Sequence, residues 1–448
     1  MVGYSYLKGF KSHLESEALQ GALPKNGRNN PQKCSFGLYA EQISGSAFTE
    51  PRASNLKTWL YKIKPSVVIG GLGEFVENAK RAPYVQQAEI VTPERLRWNP
   101  LAVEGQPPHE QQTDFVAGLR TVAAHGDPSN RDGLQIYVYT CNKPMNTSCM
   151  YNSDGDMLIV PQLGSLDIRT EVGLLHVETG YIVVIPRNIK FAVSPVSEHA
   201  RGYVCEIYGR HFELPERGVI GANGLASEVD FLYPTAAFRD EDVKTEVICK
   251  FQNRFFTSWV ESDPFDVVAW RGNYLPFMYD LENFCPVNSV LFDHMDPSIF
   301  TVLTSPSATP GVALLDFVVF PPRWMVQEDT FRPPYFHRNC MTEYMGLIRG
   351  TYDAKSGKGF VPGGSSLHSM GSPHGPDVES FETATSADLK PAKLGSEDVA
   401  FMFETSKMLN LTKWAIECPE RDREYVACWS GFENHFRKRA KPSGGDGD

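Results

Sequence analysis

No stretch of the sequence approaches the ~20 consecutive apolar residues that a membrane-crossing helix needs, so no membrane partner is expected. The chain also lacks any Cys-x-x-Cys pair. Its nine cysteines, at 34, 141, 149, 205, 249, 285, 340, 418 and 428, are odd in number and scattered. That pattern points away from a zinc knuckle or a disulfide framework and fits reduced cytoplasmic thiols. A positive excess is missing as well: 43 basic residues face 54 acidic ones, for a formal net charge of −11. An acidic chain repels phosphate backbones, so no nucleic-acid partner is expected. The segment Met1-Val2-Gly3-Tyr4-Ser5 has no basic region leading into an apolar core, so no secretory leader is expected.

What is present reads as a soluble globular chain of 448 residues, 42% hydrophobic and 22% charged. That length exceeds what one hydrophobic core usually supports, and two domains are expected. Long helical periodicity is scarce, while 32 prolines and 37 glycines punctuate the chain. Residues 1–60 read as irregular. From 155 to 195, short β-branched runs alternate with glycine turns, including Gly155-Asp156-Met157-Leu158-Ile159-Val160 and Gly180-Tyr181-Ile182-Val183-Val184-Ile185. This predicts an antiparallel barrel or sandwich. A second β block covers about 312–350, led by Val312-Ala313-Leu314-Leu315-Asp316-Phe317-Val318-Val319-Phe320. Residues 351–380 read as a long return loop and 384–415 as more helical. The expected fold is therefore mostly β, as two barrels: residues 1–283, residues 284–435, and a basic tail over 436–448 with no fixed structure.

The chemistry concentrates in the second block. His337-Arg338-Asn339-Cys340-Met341-Thr342-Glu343 places a histidine and a glutamate six apart. On a strand, even separation puts both side chains on one face. The stretch matches the first metal motif of the cupin barrels, His-x-His-x3-Glu-x6-Gly, ending at Gly350. Asn339 stands where the second histidine would be. Two histidines and one carboxylate form the facial triad of non-haem Fe(II) oxygenases, which leaves positions open for substrate and dioxygen. Spacing leaves the third ligand open between His368 and His374.

Longer motifs carry a resemblance. Arg332-Pro333-Pro334-Tyr335-Phe336-His337-Arg338-Asn339-Cys340-Met341, Pro362-Gly363-Gly364, Pro373-His374-Gly375-Pro376-Asp377, Gly221-Ala222-Asn223-Gly224 and Val290-Leu291-Phe292-Asp293-His294 resemble the homogentisate 1,2-dioxygenase family. The resemblance runs over nearly the whole chain. It implies a double cupin with an iron-binding C-terminal barrel; the first β block has no His-x-His or His-x5-Glu set, so a metal-free N-terminal barrel is expected. It implies Fe(II) held by His337, Glu343 and His374, with homogentisate and O2 as substrates and 4-maleylacetoacetate as product. The family pattern selects His374 over His368 and leaves His368 as a pocket residue.

By the same resemblance His294 is the general base, and Tyr352 and His374 contact substrate, with Tyr335 a further pocket candidate. Asp296-Pro297-Ser298 looks like a helix start, whose positive end would help keep His294 neutral. Lys355 could attract the substrate carboxylate, although an exposed lysine is its default reading. Family members assemble as trimers paired into hexamers, so a homo-oligomer is expected.

Overall fold

The computed structural model describes residues 3–68, 75–103, 112–217, 225–355, 360–395 and 397–436. The chain is mostly β, as its turn-rich sequence predicts. Three sheets stack around two apolar cores.

The middle layer is a nine-stranded sheet whose central members are Tyr181–Ile185, Asp156–Leu163, Ala200–Ile207 and Asp132–Cys141. Successive side chains on a strand point to opposite faces. Met157 and Ile159 accordingly enter the core shared with the seven-stranded sheet, while Leu158 and Val160 enter the other core. Tyr137 and Tyr139 alternate with Ile136 and Val138 in the same way. Burial on both faces explains why these strands read as unbroken apolar runs rather than as alternating ones.

The third layer positions the site. It is a six-stranded sheet in the order Thr301–Pro306, Ala313–Phe320, Val399–Thr405, Thr342–Arg349, Ser365–His368, Arg95–Trp98. Tyr203 ties this layer to the middle one. Its hydroxyl donates to the Gly364 carbonyl at 2.8 Å, and its ring meets Phe401 edge-on at 4.9 Å. Gln162 adds a bond from Nε2 to the Ile348 carbonyl at 3.1 Å.

Several local expectations fail. Residues 1–60 carry strands at Tyr6–Lys8, Leu14–Glu17, Tyr39–Ser44 and Lys57–Lys62, most of which join a four-stranded sheet with Val267–Gly272. The stretch 384–415 is helical only at its ends, within Val378–Ser386 and Lys413–Glu417. Val399–Thr405 is a wholly buried strand at the centre of the third layer, and a short apolar run does not by itself distinguish strand from buried helix. The supposed loop 351–380 contains the strand Ser365–His368 and the start of the helix Val378–Ser386, capped by Asp377. No helix follows Asp296: the β-rich run Phe300-Thr301-Val302-Leu303 takes the chain into the strand Thr301–Pro306 instead. The tail expected over 436–448 lies outside the described residues from 437 onward, as do Gly221–Gly224 of the family motif.

Candidate metal centre

Strand register builds the site. Across the third sheet, Asp316 pairs with Glu404, Glu404 with Glu343, Glu343 with His368, and His368 with Arg95. One residue further along, the row reads Phe317, Phe403, Tyr344, Leu367, Leu96. The second row faces the apolar core, so alternation turns the first, polar row to the opposite face.

His337 is not on a strand with Glu343, which corrects the even-spacing expectation. The strand begins at Thr342, and residues 338–341 are irregular. Asn339 causes the bend, since its Oδ1 accepts the Met341 N–H at 3.1 Å in a local Asx turn. His337 is instead held by an isolated antiparallel bridge to His374, with backbone bonds of 3.0 and 3.1 Å in the two directions. That bridge brings the two imidazoles to a 4.2 Å centroid separation.

His337, Glu343 and His374 each offer a ligand atom, all within 4.8 Å of one another. Nδ1 of His337 lies 2.8 Å from the Tyr335 carbonyl, and Nδ1 of His374 lies 3.0 Å from the Ser372 carbonyl. A carbonyl only accepts, so both Nδ1 atoms carry a proton, and both Nε2 atoms are left to face Glu343, where each can donate to the carboxylate or, once deprotonated, offer a lone pair to an ion. His374 Nε2 lies 2.9 Å from Glu343 Oε2, and His337 Nε2 lies 3.5 Å from Glu343 Oε1. Burial pushes the Glu343 carboxyl upward. The contacts from His337, His374 and Asn339 outweigh it and hold the group well below the usual carboxylate range. Two imidazoles whose Nε2 atoms converge on one anionic carboxylate fit a divalent transition ion.

His368 is fully buried beside this cluster. Its ring stacks on His374 at 4.0 Å with 14° between planes, and its Nε2 meets the Tyr425 hydroxyl at 2.8 Å. Burial, then the nearby His374, drives its pKa well down and keeps the ring neutral. Tyr352 follows the strand Thr342–Arg349 and packs against Phe320 and Phe360, each at 5.9 Å. Tyr335 is exposed, with its ring 5.8 Å from His337.

His294 is placed differently. It lies in an exposed stretch, and its Nδ1 accepts the Asp296 N–H at 3.1 Å. Among the described residues no hydrogen bond joins it to the three ligand residues. The helix-end rationale for its neutrality is withdrawn with the helix.

Two residues around the cluster, Glu404 and Tyr425, escaped the sequence reading, and two more, Asn339 and Lys355, have contacts that it did not foresee. Glu404 is a lone acid at the end of the apolar run Val399-Ala400-Phe401-Met402-Phe403, a signal that could have marked it. Asn339 was visible only as a missing histidine. Tyr425 carried no signal. Lys355, expected exposed, is largely buried: its Nζ donates to the Gly375 carbonyl at 3.1 Å and sits 4.3 Å from the Trp429 ring centroid.

Comparisons with known proteins agree across the whole chain. The model described as homogentisate 1,2-dioxygenase N-terminal matches residues 5–281, and its C-terminal counterpart matches residues 282–436. A homogentisate 1,2-dioxygenase of Dictyostelium discoideum is 51% identical over 444 residues, covering 97% of this chain and 99% of that one. One of Drosophila melanogaster is 52% identical over 445 residues, covering 98% and 99%. Among solved structures, a single-site mutant of Bacillus subtilis oxalate decarboxylase matches with a TM-score of 0.31 and 12% identity, covering 80% of this chain and 88% of that one. A likeness that loose adds nothing to the assignment.

Proposed function

The chain belongs to the homogentisate 1,2-dioxygenase family of oxygenases, and from that premise we propose that it uses Fe(II) to open the ring of homogentisate with O2, giving 4-maleylacetoacetate in phenylalanine and tyrosine breakdown. The observation that carries the metal assignment is the convergence of His337 Nε2, Glu343 and His374 Nε2, with both Nδ1 atoms committed to backbone carbonyls. Bound iron(II) would hold the ring hydroxyl and O2 side by side and acidify the hydroxyl.

The remaining steps fall to the protein. His294 takes the hydroxyl proton as a general base. Tyr352 contacts substrate, with Tyr335 a further pocket candidate. His368, neutral and stacked on His374, keeps that ligand in place. The N-terminal sheets serve as scaffold without a metal of their own, and the enzyme works in the cytoplasm as a trimer or hexamer.

Purified protein reconstituted with Fe(II) tests the reading. Stoichiometric iron and oxygen uptake with homogentisate, but not with gentisate, are expected. Uptake with gentisate alone would move the substrate assignment, and absence of iron binding would remove the metal assignment. His294→Ala should abolish turnover while iron content stays normal. Lost iron would make His294 structural.

A further inference from the structure

Asn339 is held at three points. Its Oδ1 accepts from the Met341 N–H, and this fixes which end of the amide is oxygen. Its Nδ2 then donates one hydrogen to Glu343 Oε1 at 2.9 Å and the other to Glu404 Oε1 at 2.7 Å. Glu404 is fixed in its turn, because it lies on the buried neighbouring strand in direct register with Glu343. The two carboxylates therefore share one amide group whose orientation leaves no freedom.

The two oxygens of Glu343 are left unequal. Oε1 accepts the Asn339 amide and lies 3.5 Å from His337 Nε2, whereas Oε2 takes nothing from Asn339 and faces His374 Nε2 at 2.9 Å. We infer that Asn339 and Glu404 are positioning residues: Asn339 occupies Oε1 so that Oε2 alone serves as the carboxylate donor, and Glu404 locks the Asn339 amide in that orientation. The inference rests on the proposed triad and deepens it. A carboxylate limited to one donor atom leaves an additional position for the substrates. This also gives a reason for asparagine where the cupin pattern has histidine: the site has exchanged a fourth ligand for a clamp on the third. Partners of this kind around metal ligands are worth about 10–100-fold in metal affinity or activity.

The test uses Co(II) added to the metal-free full chain, because its visible absorption reports coordination number. Three variants are compared with the parent: Asn339→Leu, Glu404→Leu and Glu404→Gln. Asn339→Leu should weaken Co(II) binding about 10–100-fold and change the band pattern, as Oε1 is released to the metal. Glu404→Leu should shift the spectrum in the same direction. Glu404→Gln should keep the parent spectrum, since a glutamine Oε1 still accepts from Asn339. Parent-like spectra in all three folded variants would reduce the pair to satisfying buried polar groups and overturn the inference. If Asn339→Leu fails to fold, the contrast between Glu404→Leu and Glu404→Gln decides alone. A parent that binds no Co(II) would overturn the triad itself, and the inference with it.

Discussion

Replacing Lys355 by methionine should change how the stability of the protein depends on pH. Lys355 Nζ lies among aromatic rings, 4.3 Å from the Trp429 centroid and 5.1 Å from that of Tyr425. Arg95 and Arg97 cover the same two rings, at 4.8 and 4.4 Å. Arg97 spends its charge on Asp422, its Nε lying 2.8 Å from Oδ2. Burial comes first among the influences on Lys355, and the two arginines push the same way. Cys428 and Asp377 oppose them only in part, and the ammonium is pushed from its ordinary 10.5 down to about 8.

A lysine whose pKa is lower folded than unfolded penalises the folded state while it is charged in both. The penalty is therefore complete below pH 8. It is relieved as pH rises from about 8 toward 10.5, where the unfolded chain still binds a proton that the folded one has released. At 1.36 kcal/mol per pH unit the whole effect is about 3 kcal/mol. Urea unfolding of the parent and of Lys355→Met at pH 7, 8, 9 and 10 isolates it, because the other titrating groups are common to both proteins. The parent should gain on the variant by about 2–3 kcal/mol between pH 7 and 10. A difference that stays flat across this range, or that moves the other way, refutes the burial-driven account.

Three further outcomes follow from contacts at the site. Among the described residues Tyr425→Phe removes the only hydrogen bond to the His368 ring, whose Nδ1 has no partner there, and should cost about 1–3 kcal/mol in the same urea assay. Gly346→Ala would set a Cβ 2.3 Å from Phe401 Cε1 and 3.0 Å from Tyr203 Cζ. Phe401 is walled in by Phe317 and Phe403, so overpacking of about 1–3 kcal/mol should appear as a lowered melting temperature. Glu343→Gln should leave the purified protein without stoichiometric metal by elemental analysis, since a neutral amide replaces the only anionic donor among the three ligand residues.

Local pattern was legible wherever it was set by neighbouring residues. The glycine-separated runs from 155 to 195 became strands Asp156–Leu163, Leu166–Thr170, Gly173–Val177, Tyr181–Ile185 and Phe191–Pro195. The run from Val312 became the strand Ala313–Phe320. Val399–Thr405 was lost because its residues are buried on both faces and so show no period of two. His337 and Glu343 were picked out by a spacing rule whose premise was wrong: an Asx turn at Asn339 and a bridge to His374, not a shared strand, set their geometry.

What no sequence pattern exposed is the register between strands far apart in the chain. Asn339 meets Glu404 across 65 residues, and His374 meets Glu343 across 31. The polar row Asp316, Glu404, Glu343, His368 exists only because four strands keep one register at this level, the shift between Thr342–Arg349 and Val399–Thr405 coming only after Leu347. A slip of one residue in the strand Thr342–Arg349 would turn Glu343 into the apolar core and Tyr344 out toward the ligands. The stacking of Tyr344 on Phe403, with planes 15° apart, opposes that slip, as does the close approach of Phe401 to Gly346. The aromatic core on one face of the sheet thus fixes the metal ligands on the other. Substitutions at Gly346 or Tyr344, which lie on the core face of the strand and not on the ligand face, should therefore disturb metal binding as well as stability.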